Sequence, residues 1–163
     1  MRENKKIVLT GLFVALGVTL SFVSFPVGVS RCYPVQHLLN LLSAVILGPV
    51  YGVSQAFLTS LIRNLMGTGS ILAFPGSMFG ALISAYGYAK TKKLSVAFVG
   101  EVAGTSILGG IVASLLARLF LAKEAMLFAF VIPFFISTFG GSVIGLVLLL
   151  ILKKTKVLEM EFY

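Results

Sequence analysis

Charged residues are spaced so widely along this chain that five long apolar runs remain between them. The runs are Ile7–Ser30, Cys32–Ile62, Asn64–Ala89, Leu94–Ala117 and Ala125–Leu152, and Glu101 is the one acidic residue inside any of them. Each is at least as long as the ~20 residues a helix needs to cross hydrocarbon. A soluble fold cannot absorb them. The 163 residues are 58% hydrophobic and 11% charged, whereas soluble domains carry about 25% charged residues. A soluble domain of this size also leaves about a third of its chain surface in water. Lipid resolves the mismatch, and the expected fold is a single all-α membrane domain over residues 1–163.

The start of the chain resembles a signal peptide, with Arg2, Lys5 and Lys6 ahead of an apolar run. That run is too long for a signal h-region and has no small-residue cleavage site, so it reads as a retained first helix. The net charge of +8 would suit nucleic acid in a soluble protein. Here the basic residues sit in clusters between apolar runs, which points to membrane orientation and to no nucleic-acid partner. Cys32 is the only cysteine, which excludes an intrachain disulfide and a multi-cysteine metal site.

Cys32–Ile62 is long for one span and short for two, with Gly48-Pro49 in its middle. Proline inside a helix removes a hydrogen bond and clashes with the preceding turn. The clusters Arg2/Lys5/Lys6, Lys90/Lys92/Lys93 and Lys153/Lys154/Lys156 decide between a kink and a turn. A turn gives six helices, with all three clusters on the cytoplasmic side and Arg31, Arg63, Arg118 and Lys123 outside. A kink gives five helices and nearly abolishes the bias. Six helices with both termini cytoplasmic follow, at about 7–28, 35–47, 49–65, 75–90, 94–118 and 125–152. Outer loops then fall at 29–34, 66–74 and 119–124. Helices two and three are short, roughly 18–24 Å. No internal repeat is visible.

This topology gathers polar residues at the outer mouth. The segment before helix two carries Arg31, Cys32, Tyr33, Gln36 and His37, with Asn40 a turn later. Tyr51, Gln55, Thr59 and Arg63 recur every four residues along helix three, and Asn64 follows. Polar side chains facing lipid are costly, so these should face the interior or a wet cavity. One reading is a ligand pocket open to the outside. The other is interhelical hydrogen bonding, worth about 0.6 kcal/mol per contact. Tyr33, Phe74 and Tyr51 are candidate walls, and His37, Asn40 and Asn64 candidate donors and acceptors. His37 is the sole histidine and lacks nearby ligands for a metal, so no metal is expected. Gly67-Thr68-Gly69 lacks the length and lysine of a phosphate loop and reads as a hinge.

Glu101 has Thr105 one turn away on the same face and falls toward the inner half of its span. It is a structural pair with a basic residue, a contact to a partner subunit, or a proton-coupling carboxylate. Small residues at Gly11-xxx-Ala15-xxx-Thr19, Gly100-xxx-Gly104 and Ser137-xxx-Gly141-xxx-Gly145 allow close helix approach. For the last two, packing within the bundle is the preferred reading.

The stretches from Arg31 to Asn40, Gly48-Pro49, Arg63 to Gly69 and Ala73 to Met78 resemble the ThiW family, substrate-binding S components of energy-coupling factor (ECF) vitamin transporters. The resemblance spans essentially the whole chain. It implies a six-helix S-component fold and a thiazole ligand, 4-methyl-5-hydroxyethylthiazole, the thiamine precursor. It also implies partners, namely a transmembrane T component and two ABC ATPases, and no cofactor of its own. The pocket expected from these residues comprises Arg31, Tyr33, Gln36, His37, Asn40, Arg63, Asn64, Phe74 and Ser77, with Gly67, Thr68 and Gly69 as a gating loop. S components commonly present an Ala-x-x-x-Ala motif on helix one to the T component, and the nearest match here is Gly11-x-x-x-Ala15. The chain has no G-x-x-x-x-G-K-[S/T] motif, so ATP hydrolysis by that route needs a partner. Two other classes compete: a stand-alone proton-coupled transporter using Glu101, and a membrane enzyme using Cys32 as nucleophile.

Overall fold

The computed structural model describes residues 3–120 and 128–155. Among these residues, seven α-helical segments form six rods: α1 (Glu3–Thr19), α2 (Pro34–Ile46), α3 (Pro49–Leu65), α4 (Ala73–Thr91), α5 (Leu94–Ala103) continuing into α6 (Gly110–Phe120), and α7 (Val131–Lys154). A π-helical stretch, Gly104–Gly109, joins α5 to α6 without a break. Among the described residues, three helices are long and apolar enough to cross a membrane by themselves: Glu3–Phe22, Leu94–Phe120 and Val131–Lys154.

Gly48-Pro49 is a turn, as the charge pattern requires. Leu47 and Gly48 both donate backbone N–H groups to Ser43 O, which closes α2. Gly48 then takes φ +84°, a region open to glycine, and Pro49 starts α3.

The first helix is shorter than the apolar run suggests. α1 ends at Thr19, and one 3-10 turn carries the chain to Phe22. Residues 25–32, expected to finish helix one and begin a loop, instead form an antiparallel hairpin of β1 (Phe25–Val27) and β2 (Ser30–Cys32). The pairs are Phe25 with Cys32, Pro26 with Arg31 and Val27 with Ser30. Pro26 explains the change, since it cannot continue a helix. Gly28, at φ +54°, takes the first place of the two-residue turn, where such hairpins favour glycine. The expected start of the last helix at 125 falls partly outside the described residues. Within them, 128–130 form a turn and the helix begins at Val131. Most of the expected loop 119–124 also lies outside them.

The bundle is polar inside and apolar outside. Gln36, Asn40, Gln55, Arg63 and Glu101 are buried, while Leu12, Val99, Ile132, Phe135 and Ile151 are exposed. Lipid is the solvent that suits such a surface. Small residues bring the rods together. A side chain at Gly100 or Gly104 would collide with the α4 backbone at Ser84 or Phe79, and one at Gly141 would collide with Pro34 O on α2. These stripes are packing surfaces within the bundle.

Two apolar clusters bracket a polar layer. One, around Leu39, Leu41, Leu42, Ala97 and Leu149, fills the bundle between α2, α5 and α7. The other, Leu72, Ala113, Ala117, Phe130 and Phe134, sits where the α6 end meets the start of α7.

Candidate functional site

Against the second cluster lies a cavity of about 410 Å³, with Leu72, Phe130 and Phe134 in its wall. Elements distant in sequence build it. The hairpin contributes Pro26, Gly28, Val29, Ser30 and Arg31, and α2 with its leading residue contributes Tyr33, Gln36 and His37. The segment into α4 supplies Gly69, Ser70, Leu72, Ala73, Gly76 and Ser77. Thr105 comes from the π stretch, and Phe130, Phe134 and Ser137 from the start of α7.

Pro34 at the first turn of α2 aims this site. It starts the helix where it does, so Gln36 and His37 fall on the first turn, facing inward. The backbone N–H of Tyr33 donates to Ser137 Oγ at 2.8 Å, which ties the α2 start to α7. Cys32, just before, is fully buried and its thiol donates to Pro133 O at 3.2 Å. Burial pushes the Cys32 thiol above its ordinary pKa. Cys32 does not line the cavity, and a buried, protonated thiol makes a poor nucleophile.

A continuous polar network underlies the cavity. Arg63 donates to Gln36 Oε1, and Gln36 Nε2 donates to Ser60 Oγ at 3.0 Å. Ser60 and Ser77 hydroxyls meet at 2.9 Å. Asn40 Nδ2 donates to Ser77 O at 3.2 Å and to Glu101 Oε1 at 3.1 Å. His37 Nδ1 meets the same Glu101 oxygen at 3.0 Å. Glu101 thus bonds to His37 and Asn40 and lies beneath the cavity.

Of the expected pocket residues, Arg31, Tyr33, Gln36, His37 and Ser77 line the cavity. Asn40 and Arg63 do not line it but hold residues that do. Arg63 is fully buried, with its guanidinium carbon 3.8 Å from the centre of the Tyr33 ring. Asn64 is spent on the local backbone, donating to Ser60 O and Ser70 O. Phe74 packs on Phe57, ring centres 5.7 Å apart, away from the cavity. Tyr51 is at the far end of α3, bonded to Glu3 Oε1 and beneath Lys6, so it is no wall of this site.

Gly67, Thr68 and Gly69 form a closed cap on α3. Thr68 and Gly69 N–H groups donate to Arg63 O, and Gly67 takes φ +71°. Thr68 O accepts from the Tyr33 hydroxyl at 3.3 Å and from Arg63, which latches this loop to the start of α2. Sequence reasoning missed Thr105, Ser137, Phe130, Phe134 and the hairpin. The i, i+4 pair of Phe130 and Phe134, at an apolar helix start, was the available signal.

The fold is that of an ECF S component. The S component of a bacterial ECF transporter superposes with a TM-score of 0.78 at 19% sequence identity, covering 94% of this chain and 98% of that one. No curated relative matches the sequence. The family model for the thiamine-precursor transporter protein ThiW matches residues 7–155. The chain belongs to the ThiW family, and it is a membrane transport protein, not an enzyme.

Proposed function

We propose that this chain is the substrate-binding subunit of an ECF-type transporter. It captures 4-methyl-5-hydroxyethylthiazole from outside the cell for ATP-driven uptake by a T component and two ABC ATPases. The observation that carries this reading is the cavity of about 410 Å³, whose lining combines Phe130 and Phe134 with the polar residues His37, Gln36, Ser77 and Thr105. Sites for small ligands have this size and this mixture of apolar walls and few polar groups. Arg31 sits at the hairpin rim and the 67–69 loop acts as the gate.

The cavity faces outward in this reading, because the three basic clusters then lie in the cytoplasm with both termini. Gly11 and Ala15 are exposed on α1, and a side chain added at Gly11 meets nothing within 4 Å. That smooth face is the docking surface for the T component.

Equilibrium titration of the purified chain with the thiazole, without ATP, tests the reading. Saturable binding at micromolar concentration or tighter is expected, and no binding at saturating thiazole would overturn it. Uptake into liposomes holding this chain alone would instead favour a proton-coupled carrier using Glu101.

A further inference from the structure

Glu101 is fully buried and does not itself line the cavity, whereas His37 does. The two meet at 3.0 Å between His37 Nδ1 and Glu101 Oε1. That oxygen also accepts from Asn40 Nδ2 at 3.1 Å and Thr105 Oγ1 at 3.5 Å. An oxygen already accepting two donors is an acceptor toward its third partner, which places the imidazole proton on Nδ1. A neutral imidazole with Nδ1–H carries its lone pair on Nε2, the ring nitrogen that Glu101 does not engage, on a side chain that lines the cavity.

The surroundings reinforce this assignment. Two buried acceptors nearby, Glu101 Oε2 and Asn40 Oδ1, have no hydrogen-bond partner. Around the pair, α4 offers Ser77 and Gly80, and α7 offers Thr138 and Gly141, none of them titratable. The nearest cation of the network, Arg63, is engaged with Gln36 and Tyr33.

We infer that Glu101 is a positioning residue. It holds His37 in the Nδ1–H form so that Nε2 accepts a proton from the ligand. The site thereby selects a ligand with a free hydroxyl over one whose hydroxyl is capped or missing. This selectivity rests on the thiazole-alcohol reading above, while the state of His37 does not.

Two measurements on the full-length protein test it. The first titrates wild type with 4-methyl-5-hydroxyethylthiazole, its methyl ether and the 5-ethyl compound. The alcohol is expected to bind at least about tenfold more tightly than either. Equal affinity for alcohol and ether overturns the inference, because a donating Nε2–H would serve the ether oxygen equally well. The second measures imidazole 15N chemical shifts, which His37 reports alone as the sole histidine. A protonated Nδ1 and a bare Nε2 are expected, with Nε2 shifting when the alcohol binds. Glu101→Ala should move the proton toward Nε2 and lower affinity for the alcohol while sparing the 5-ethyl compound. Protonated Nε2 in wild type overturns the inference. If none of the three compounds binds, the thiazole reading fails and the 15N signature alone decides the role of Glu101. If Glu101→Ala does not fold, the wild-type ligand series and spectrum still decide.

Discussion

The guanidinium carbon of Arg63 sits over the ring of Tyr33, 3.8 Å from its centre, and so joins the end of α3 to the start of α2. Arg63 also reaches Gln36 on the cavity side and Thr68 O in the loop. A weakly hydrated cation with several N–H donors suits this position over a ring and between two acceptors, and lysine does not. Arg63→Lys should destabilise the protein by about 1–3 kcal/mol through unpaired buried groups. A lowered Tm in detergent, with faster proteolysis at residues 66–72, checks this.

Gly140 and Gly141 are neighbours with opposite demands. A side chain at Gly141 collides with Pro34 O and crowds His37 Cβ, whereas one at Gly140 meets nothing within 4 Å. Gly141→Ala should cost about 1–3 kcal/mol by overpacking and displace the start of α2. Gly140→Ala should be neutral or gain up to about 1 kcal/mol from helix propensity. Thermal stability of the two variants, with ligand affinity for Gly141→Ala, separates these outcomes.

Lys92 closes α4 in the left-handed region at φ +54°. Residues other than glycine pay roughly 1–2 kcal/mol for that conformation. Lys92→Gly should therefore raise Tm without altering ligand binding, although it removes one member of a basic cluster.

Cys32 should resist thiol reagents in the folded protein. Its burial raises the thiol pKa, so the thiolate forms only as pH rises past the ordinary cysteine value. Stability linked to this group is full below that value and is lost as pH climbs through the raised one. Maleimide labelling of native protein should stay far below that of denatured protein from neutral to mildly alkaline pH, and mass spectrometry reads the difference.

Gly11→Leu and Ala15→Leu change exposed positions that do not line the cavity. Binding by the isolated chain should be unchanged. Uptake in cells containing the coupling subunits should fall sharply, and equal uptake would remove the proposed docking role.

The rods were legible because charge spacing and the Gly48-Pro49 break carry their positions. The α2 end of the site was legible for a similar local reason, since Pro34 dictates which residues occupy the first turn. The hairpin at 25–32 was not, because an uncharged apolar segment looks like more helix unless Pro26 and Gly28 are given priority. Tyr51 and Arg63 share a helical face, yet twelve residues put them ~18 Å apart, so one joins the cavity network and the other does not. Thr105, Phe130 and Ser137 reach the site through packing between distant segments, which periodicity along a single helix does not encode.

The π stretch at Gly104–Gly109 has a consequence for how this site can change. A wide turn of this kind holds one residue more than an α-helix allows in the same rise. It lies between the two halves of the rod, with Glu101 below it and Ala113 and Ala117 above. Removing that extra residue would let the stretch close as plain α-helix over the same rise, so the two halves would keep their phase. Ala113 and Ala117 would stay packed with Phe130 and Phe134, and Glu101 would stay paired with His37. The change would fall on the stretch itself, which carries Thr105, so this part of the wall can be remodelled by one residue without moving the floor or the rest of the rod.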